Sequence, residues 1–166
     1  LAAKLGGGHV SVQHVEYREH PTAGRVVDGV GEVVRAAEAL PQVDRALPRA
    51  LSFAMLNTAQ ERADAALIGY EPDLEDENTL AVLGGGLRGE PLRSDDRRGV
   101  VLGARLASNL GLELGDKVVY TLSDRASDAV AATTMPLTKY RGSANMMVTT
   151  TPGTFPMPNS ITMGTR

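Results

Sequence analysis

The chain contains no cysteine and no tryptophan, and only two of its 166 residues are phenylalanine. Without cysteine there is no disulfide, no thiolate metal site and no cysteine nucleophile, and the redox character of the compartment stays open. With aromatics at 4%, the core has to be assembled from Val, Leu, Ala and Met. No apolar run approaches the ~20 residues of a membrane helix, and no charged, apolar, small-residue leader is read at Leu1. Basic charge is not in excess either. The 17 Lys and Arg against 20 Asp and Glu leave a net charge of −3, and a nucleic-acid surface would need clustered cations, so no nucleic-acid partner is expected. The length is that of one domain, which could bury roughly 70% of its unfolded surface.

What is present begins with GHVSVQHVEY at 8–17, where Val10 and Val12 alternate with His9, Ser11 and Gln13, the period of a half-buried strand. Asp28 stands where it could cap a helix carrying Val30, Val33, Val34, Ala37 and Leu40, ended by Pro41. Val43, Leu47, Leu51, Phe53 and Met55 then fall at odd positions of a strand reaching Leu56, with Pro48 pointing to an edge or a bulge. A polar turn from Asn57 to Arg62 predicts a hairpin with Ala63–Tyr70, and the acidic run from Glu71 to Asn78 reads as a loop or a single helical turn before Leu80.

The most structured reading belongs to GVVLGARLASNLGLELGDKVVYTL at 99–122. A short apolar strand is followed by Leu102, Leu106 and Leu110 at helical spacing, and Gly111 supplies the left-handed residue usual past a helix end. Gly115-Asp116 gives a turn whose carboxylate can accept backbone N–H bonds, and Val118–Leu122 favours a strand. Alternating strands with two isolated helices predict an α+β fold with a mixed sheet.

These two segments resemble the extracytoplasmic domain of ABC-transporter permeases of the macrolide-exporter (MacB-like) and lipoprotein-releasing (LolC/LolE-like, FtsX-type) kind. The resemblance rests on Gly99, Val100, Val101, Leu102, Gly103, Leu106, Ala107, Leu110, Gly111, Gly115 and Asp116, and on Gly8, His9, Val10, Tyr17 and Pro21 near the start. It implies a MacB-type periplasmic core domain in which these motif positions are structural. It also implies no enzymatic activity, no cofactor, membrane helices flanking the domain with Leu1–Leu5 directly after the first, and placement outside a bacterial inner membrane. The implied partners are a cytoplasmic ATPase subunit reached through those helices, a second permease copy or homologue, and a lipoprotein or periplasmic protein. The cargo it implies is a lipoprotein, lipid or peptide. A competing likeness rests on Gly111–Leu122 alone: a small ligand-binding β-barrel module, such as a molybdopterin-binding domain of a soluble enzyme. An adhesion or scaffold domain has no positive signal.

The likeness covers residues up to Asp128. All twenty acids lie there, while five of six Met, nine Thr and four of nine Pro lie after it. Residues 129–166 are therefore expected to be an irregular, disordered or aberrant tail beside a 1–128 core domain.

Four features point away from chemistry. Gly84, Gly86 and Gly89 spell a dinucleotide loop, but Glu90-Pro91 follows where a helix N-terminus is needed. His9, His14 and His20 share neither a helical face nor a strand face, so no metal is expected. No Gly-x-Ser-x-Gly elbow occurs, and the paired acids at Asp73, Glu75, Asp76 and Glu77, like Asp95-Asp96, read as solvated charge.

Overall fold

Fifteen consecutive residues, Val43–Asn57, form the strand around which the sheet is organised in a computed structural model of the chain. The structure describes residues 8–19, 25–84, 86–95, 99–123, 130–140, 146–150 and 160–165. In chain order these give β1 (Val10–Gln13), α1 (Val30–Glu38), β2 (Val43–Asn57), β3 (Arg62–Tyr70), a 3-10 turn (Ala81–Leu83), β4 (Leu87–Arg88), β5 (Val100–Gly103), α2 (Ala104–Asn109), β6 (Lys117–Ser123), β7 (Val130–Tyr140), β8 (Met146–Thr150) and β9 (Ser160–Thr165).

The first half of β2 pairs antiparallel with β9, from Val43↔Thr165 to Arg49↔Ser160, and β9 in turn holds β1 through Val10↔Met163 to Gln13↔Ser160. The second half pairs with β3 on one edge and β6 on the other. From β3 the ladder continues to β8 (parallel), β5 (antiparallel), β7 (parallel) and β6 (antiparallel), which returns it to β2. The six strands therefore close a circuit.

One face of this circuit buries Ala54, Leu56, Ala65, Leu67, Val100, Leu102, Val118 and Tyr120, with Leu106, Ala107 and Leu110 of α2 packed among them. On the opposite face of β3 and β5, Leu80, Val82 and Leu92 cover Ile68, Tyr70 and Val101. A third cluster joins Ala37 of α1 to Val43, Ala46, Ile161 and Met163, with Val12 and Val34 against it. Each fully buried Leu, Val or Ile contributes about 1.5–3 kcal/mol relative to exposure.

The mixed α+β sheet agrees with the reading of the sequence, and the β2–β3 hairpin closes at Asn57↔Arg62. Four expectations need correction. The apolar face of β2 is not the odd one throughout. A register shift between Val43 and Arg45 puts Ala46, Ala54 and Leu56 inward and leaves Phe53 72% exposed. Asp28 does not cap α1. Gly29, left-handed at φ 62, is the N-cap and its carbonyl accepts from Glu32 and Val33 N–H, so Asp28 lies one residue too early. Leu102 belongs to β5, and α2 begins only at Ala104.

The fourth concerns the stretch after Asp128. β7, β8 and β9 lie within it and are interleaved with the earlier strands in one sheet, so the described residues of this stretch are strand rather than irregular. Threonine explains the difference. It disturbs a hydropathy period yet fits the pleated surface of a strand as valine does.

Candidate functional site

Gly8 is pinned against β9. A Cβ at this position, whose φ is +59°, would meet the Met163 carbonyl oxygen at 2.9 Å and Thr162 Cβ at 3.0 Å. The adjacent His9 N–H donates to that same Met163 carbonyl at 2.9 Å. The His9 ring and the Val10 side chain are exposed, so this end of β1 is fixed by its backbone. Four residues past β1, the Tyr17 hydroxyl donates to the Leu51 carbonyl at 3.2 Å and ties the segment to the middle of β2. Pro21 lies outside the described residues, as does His20.

The second signature packs inside the circuit. Gly99 and Gly103 are buried at the two ends of β5, and Leu106, Ala107 and Leu110 are at most 3% exposed. Gly111, at φ 65°, closes α2 with Leu112 N–H bonded to the Ala107 carbonyl at 2.9 Å and its own N–H to Ser108 at 3.1 Å, the paired bonds of a Schellman motif. Gly115 turns the chain at φ 86°, and the Asp116 carboxylate accepts the Glu113 N–H at 2.7 Å. These positions hold backbone geometry. The two signatures do not touch through their strands. β2 links them, pairing with β9 in its first half and with β6 in its last residues.

The densest polar cluster is one that sequence reasoning missed. Arg49 projects from β2 beneath the acidic segment, where Nε donates to Glu75 Oε1 at 2.8 Å, Nη2 pairs with Glu75 Oε2, and Nη2 also donates to the Thr79 carbonyl at 3.0 Å. Both side chains are 1% exposed. Glu75 is therefore not the solvated charge expected of its neighbourhood, because turns over 72–74 and 77–79 fold it inward onto β2. The one available signal was Arg49 itself, a long cation inside an otherwise apolar strand. Tyr70, buried beside this pair, has its phenol pushed up to about 12, first by loss of solvent and then by the Glu75 charge.

Asp76 stays outside with Arg45, whose Nη1 approaches its Oδ2 at 2.9 Å. That hydrogen bond holds the Asp76 carboxyl below its ordinary range and raises Arg45. Between this pair and α1 runs an open cleft of about 550 Å³, lined by Val34 and Glu38 of α1, by Arg45, Ala46 and Leu47 of β2, and by Asp73–Asp76.

The remaining sequence candidates stay apart. His14 accepts the Glu16 N–H at Nδ1, and among the described residues no three His, Asp or Glu side chains gather as metal ligands. After Gly84 the chain enters the two-residue strand β4, so no helix N-terminus faces the glycines. Asp95 pairs with Arg93 in solvent, which lowers its carboxyl. No described helix is long and apolar enough to cross a membrane.

No protein-family model and no curated protein sequence matches the chain. Solved structures do. The extracellular domain of the noncanonic ABC-type transporter YknZ from Gram-positive bacteria superposes with a TM-score of 0.58 at 12% identity, over 81% of this chain and 72% of that one. The periplasmic region of MacB from Actinobacillus actinomycetemcomitans gives 0.58 at 14% identity, over 96% and 76%. Over nearly its whole length, this chain has the fold of the extracytoplasmic domains of MacB-like and YknZ-like ABC-type transporters.

Proposed function

We propose that the chain is the extracytoplasmic domain of an ABC-transporter permease, set on the outer side of a bacterial inner membrane. The single observation that carries this reading is the shared fold over 96% of the chain. The β1–β9 pairing supports it. Val10 lies opposite Met163, so the chain approaches β1 and leaves β9 at the same end of the sheet, as a domain inserted between two membrane helices must. ATP is hydrolysed by a separate cytoplasmic subunit, and its motion reaches this domain through those helices. A close-packed body suits that task because it passes displacement on with little loss. The cargo is a lipoprotein, a lipid or a peptide, and a second permease copy completes the assembly. The motif positions from Gly8 to Pro21 and from Gly99 to Asp116 serve as structural points of this body.

The test uses the full gene product. Membrane fractionation, protease accessibility from the outer face and co-purification with an ATPase subunit are all expected to be positive. A water-soluble product without an ATPase would sink the reading. One observation favours a second reading, a ligand-binding barrel module of a soluble enzyme: the Gly115-Asp116 turn sits in a strand circuit that closes on itself. Molybdopterin bound to the purified chain would support it.

A further inference from the structure

Among the described strands, β2 alone pairs on both sides of a division in the sheet. Its residues 43–49 pair with β9, which otherwise pairs only with β1, whereas residues 50–57 pair with β3 and, at their end, with β6. No rung is shared between Arg49↔Ser160 and Ala50↔Gly69, so β2 crosses alone from the layer of β1, β9 and α1 to the six-strand circuit. Each side has its own core, Ala37, Val43, Ala46, Ile161 and Met163 on the first and the cluster around Leu56 and Leu106 on the second.

The rungs at the crossing are poorly furnished. Pro48 lacks the N–H of a ladder residue, and Gly69 brings no side chain to pack across to Ala50. Arg49 Nη1 and the Ser160 hydroxyl, on facing residues of the last β9 rung, are buried without a hydrogen-bond partner among the described residues, which leaves this arrangement less firmly held than its burial alone would make it.

Two polar contacts fasten the sides together. Arg45 reaches Asp76 of the segment after β3 at 2.9 Å, and the Tyr17 hydroxyl, from the segment after β1, donates to the Leu51 carbonyl at 3.2 Å. The Arg45 and Asp76 side chains are 44% and 41% exposed, so salt screens their attraction. Beside them the cleft of about 550 Å³ separates α1 from residues 73–76 and gives the two sides room to move. Arg49 and Glu75 lie at the crossing itself, where a turn of one side on the other leaves their pairing intact.

We propose that β2 is a hinge at residues 48–50, latched by Arg45–Asp76 and Tyr17–Leu51. Latched, the domain moves as one body. With the latches parted, the circuit swings about β2 and the cleft between α1 and the acidic segment widens. The device belongs to the domain itself and holds independently of the transporter reading.

The test measures distances between paired spin labels in the whole chain, where the lack of cysteine leaves no background site. Labels at Glu38→Cys and Asp73→Cys, exposed on opposite walls of the cleft, report its width. Labels at Asp64→Cys and Lys117→Cys, both exposed on the circuit, report a span that the hinge does not change. The cleft pair is expected to show a narrower and a wider population, with Arg45→Ala raising the wider about two- to five-fold relative to the narrower. Salt at about 1 M should act in the same direction and lose its effect in Arg45→Ala. Tyr17→Phe should widen the cleft further, and the circuit pair should keep one distance throughout. A single cleft distance indifferent to the substitutions and to salt, or equal broadening of both pairs, would overturn the proposal.

Discussion

Arg49 and Glu75 meet in a two-point ion pair that is 99% withdrawn from solvent on both sides, joining β2 to the acidic segment that follows β3. Removing water from two charges is costly, and their mutual attraction offsets it only while both are present. Glu75→Gln or Arg49→Met alone is therefore expected to lower unfolding free energy by about 3–5 kcal/mol, because each strands its partner. The combined Arg49→Met, Glu75→Leu chain should recover most of that loss in urea denaturation. A double variant as unstable as the sum of the singles would show that the pair acts through more than compensated charge.

Tyr70 gives the domain an alkaline limit. Its folded-state value, about 12, lies above the ordinary 10, so the unfolded chain releases the phenolic proton first. The stabilisation is complete below pH 10 and disappears as the pH rises from 10 to 12. Urea midpoints measured across that window should fall, and Tyr70→Phe should flatten the fall while removing any hydrogen bond of the hydroxyl. An unchanged slope in Tyr70→Phe would place the alkaline transition elsewhere.

Gly8 and Gly111 separate two reasons for glycine. Both are left-handed, but a Cβ at Gly111 meets nothing within 4 Å, while at Gly8 it strikes the Met163 backbone at 2.9 Å. Gly111→Ala should cost about 1 kcal/mol, the conformational penalty alone. Gly8→Ala should cost more and should do so by prising β1 from β9, visible as faster hydrogen exchange at Met163 than in β3. Equal effects of the two substitutions would contradict the close approach.

Leu106 of α2 is fully enclosed, at 0% exposure, among β5, β6 and β2 residues. Leu106→Ala is expected to lose about 2–5 kcal/mol by thermal or chemical denaturation, the spread reflecting how far Leu56, Leu102 and Tyr120 can close the cavity. Asp116→Ala, which removes only the carboxylate bonded to Glu113 N–H, should lose about 1 kcal/mol.

Local geometry was legible in the sequence wherever a residue type had one conformational use. The stop at Gly111, the turn at Gly115-Asp116 and the hairpin at Asn57 and Arg62 all stand where local pattern places them. Tertiary burial was not. Arg49 and Glu75 are 26 residues apart, and nothing local tells an acid that folds under a strand from Asp73 and Asp76 on either side of it. The face of β2 was misread because one register shift exchanges the two sides of a strand, and because the strand is covered on both faces in its middle. The strands after Asp128 show no hydropathy period because threonine counts as polar there while fitting a pleated strand as valine does.

The antiparallel union of β1 and β9, with Val10 beside Met163, also sets how the body responds to load. A pull that spreads the two attachment points apart acts across the rungs and opens them singly, like a zip, before it can stretch the six-strand circuit. A push or twist shared by both attachment points leaves every rung intact and swings the whole body as a lever. The joint thus resists a displacement shared by its two strands and yields first to their separation.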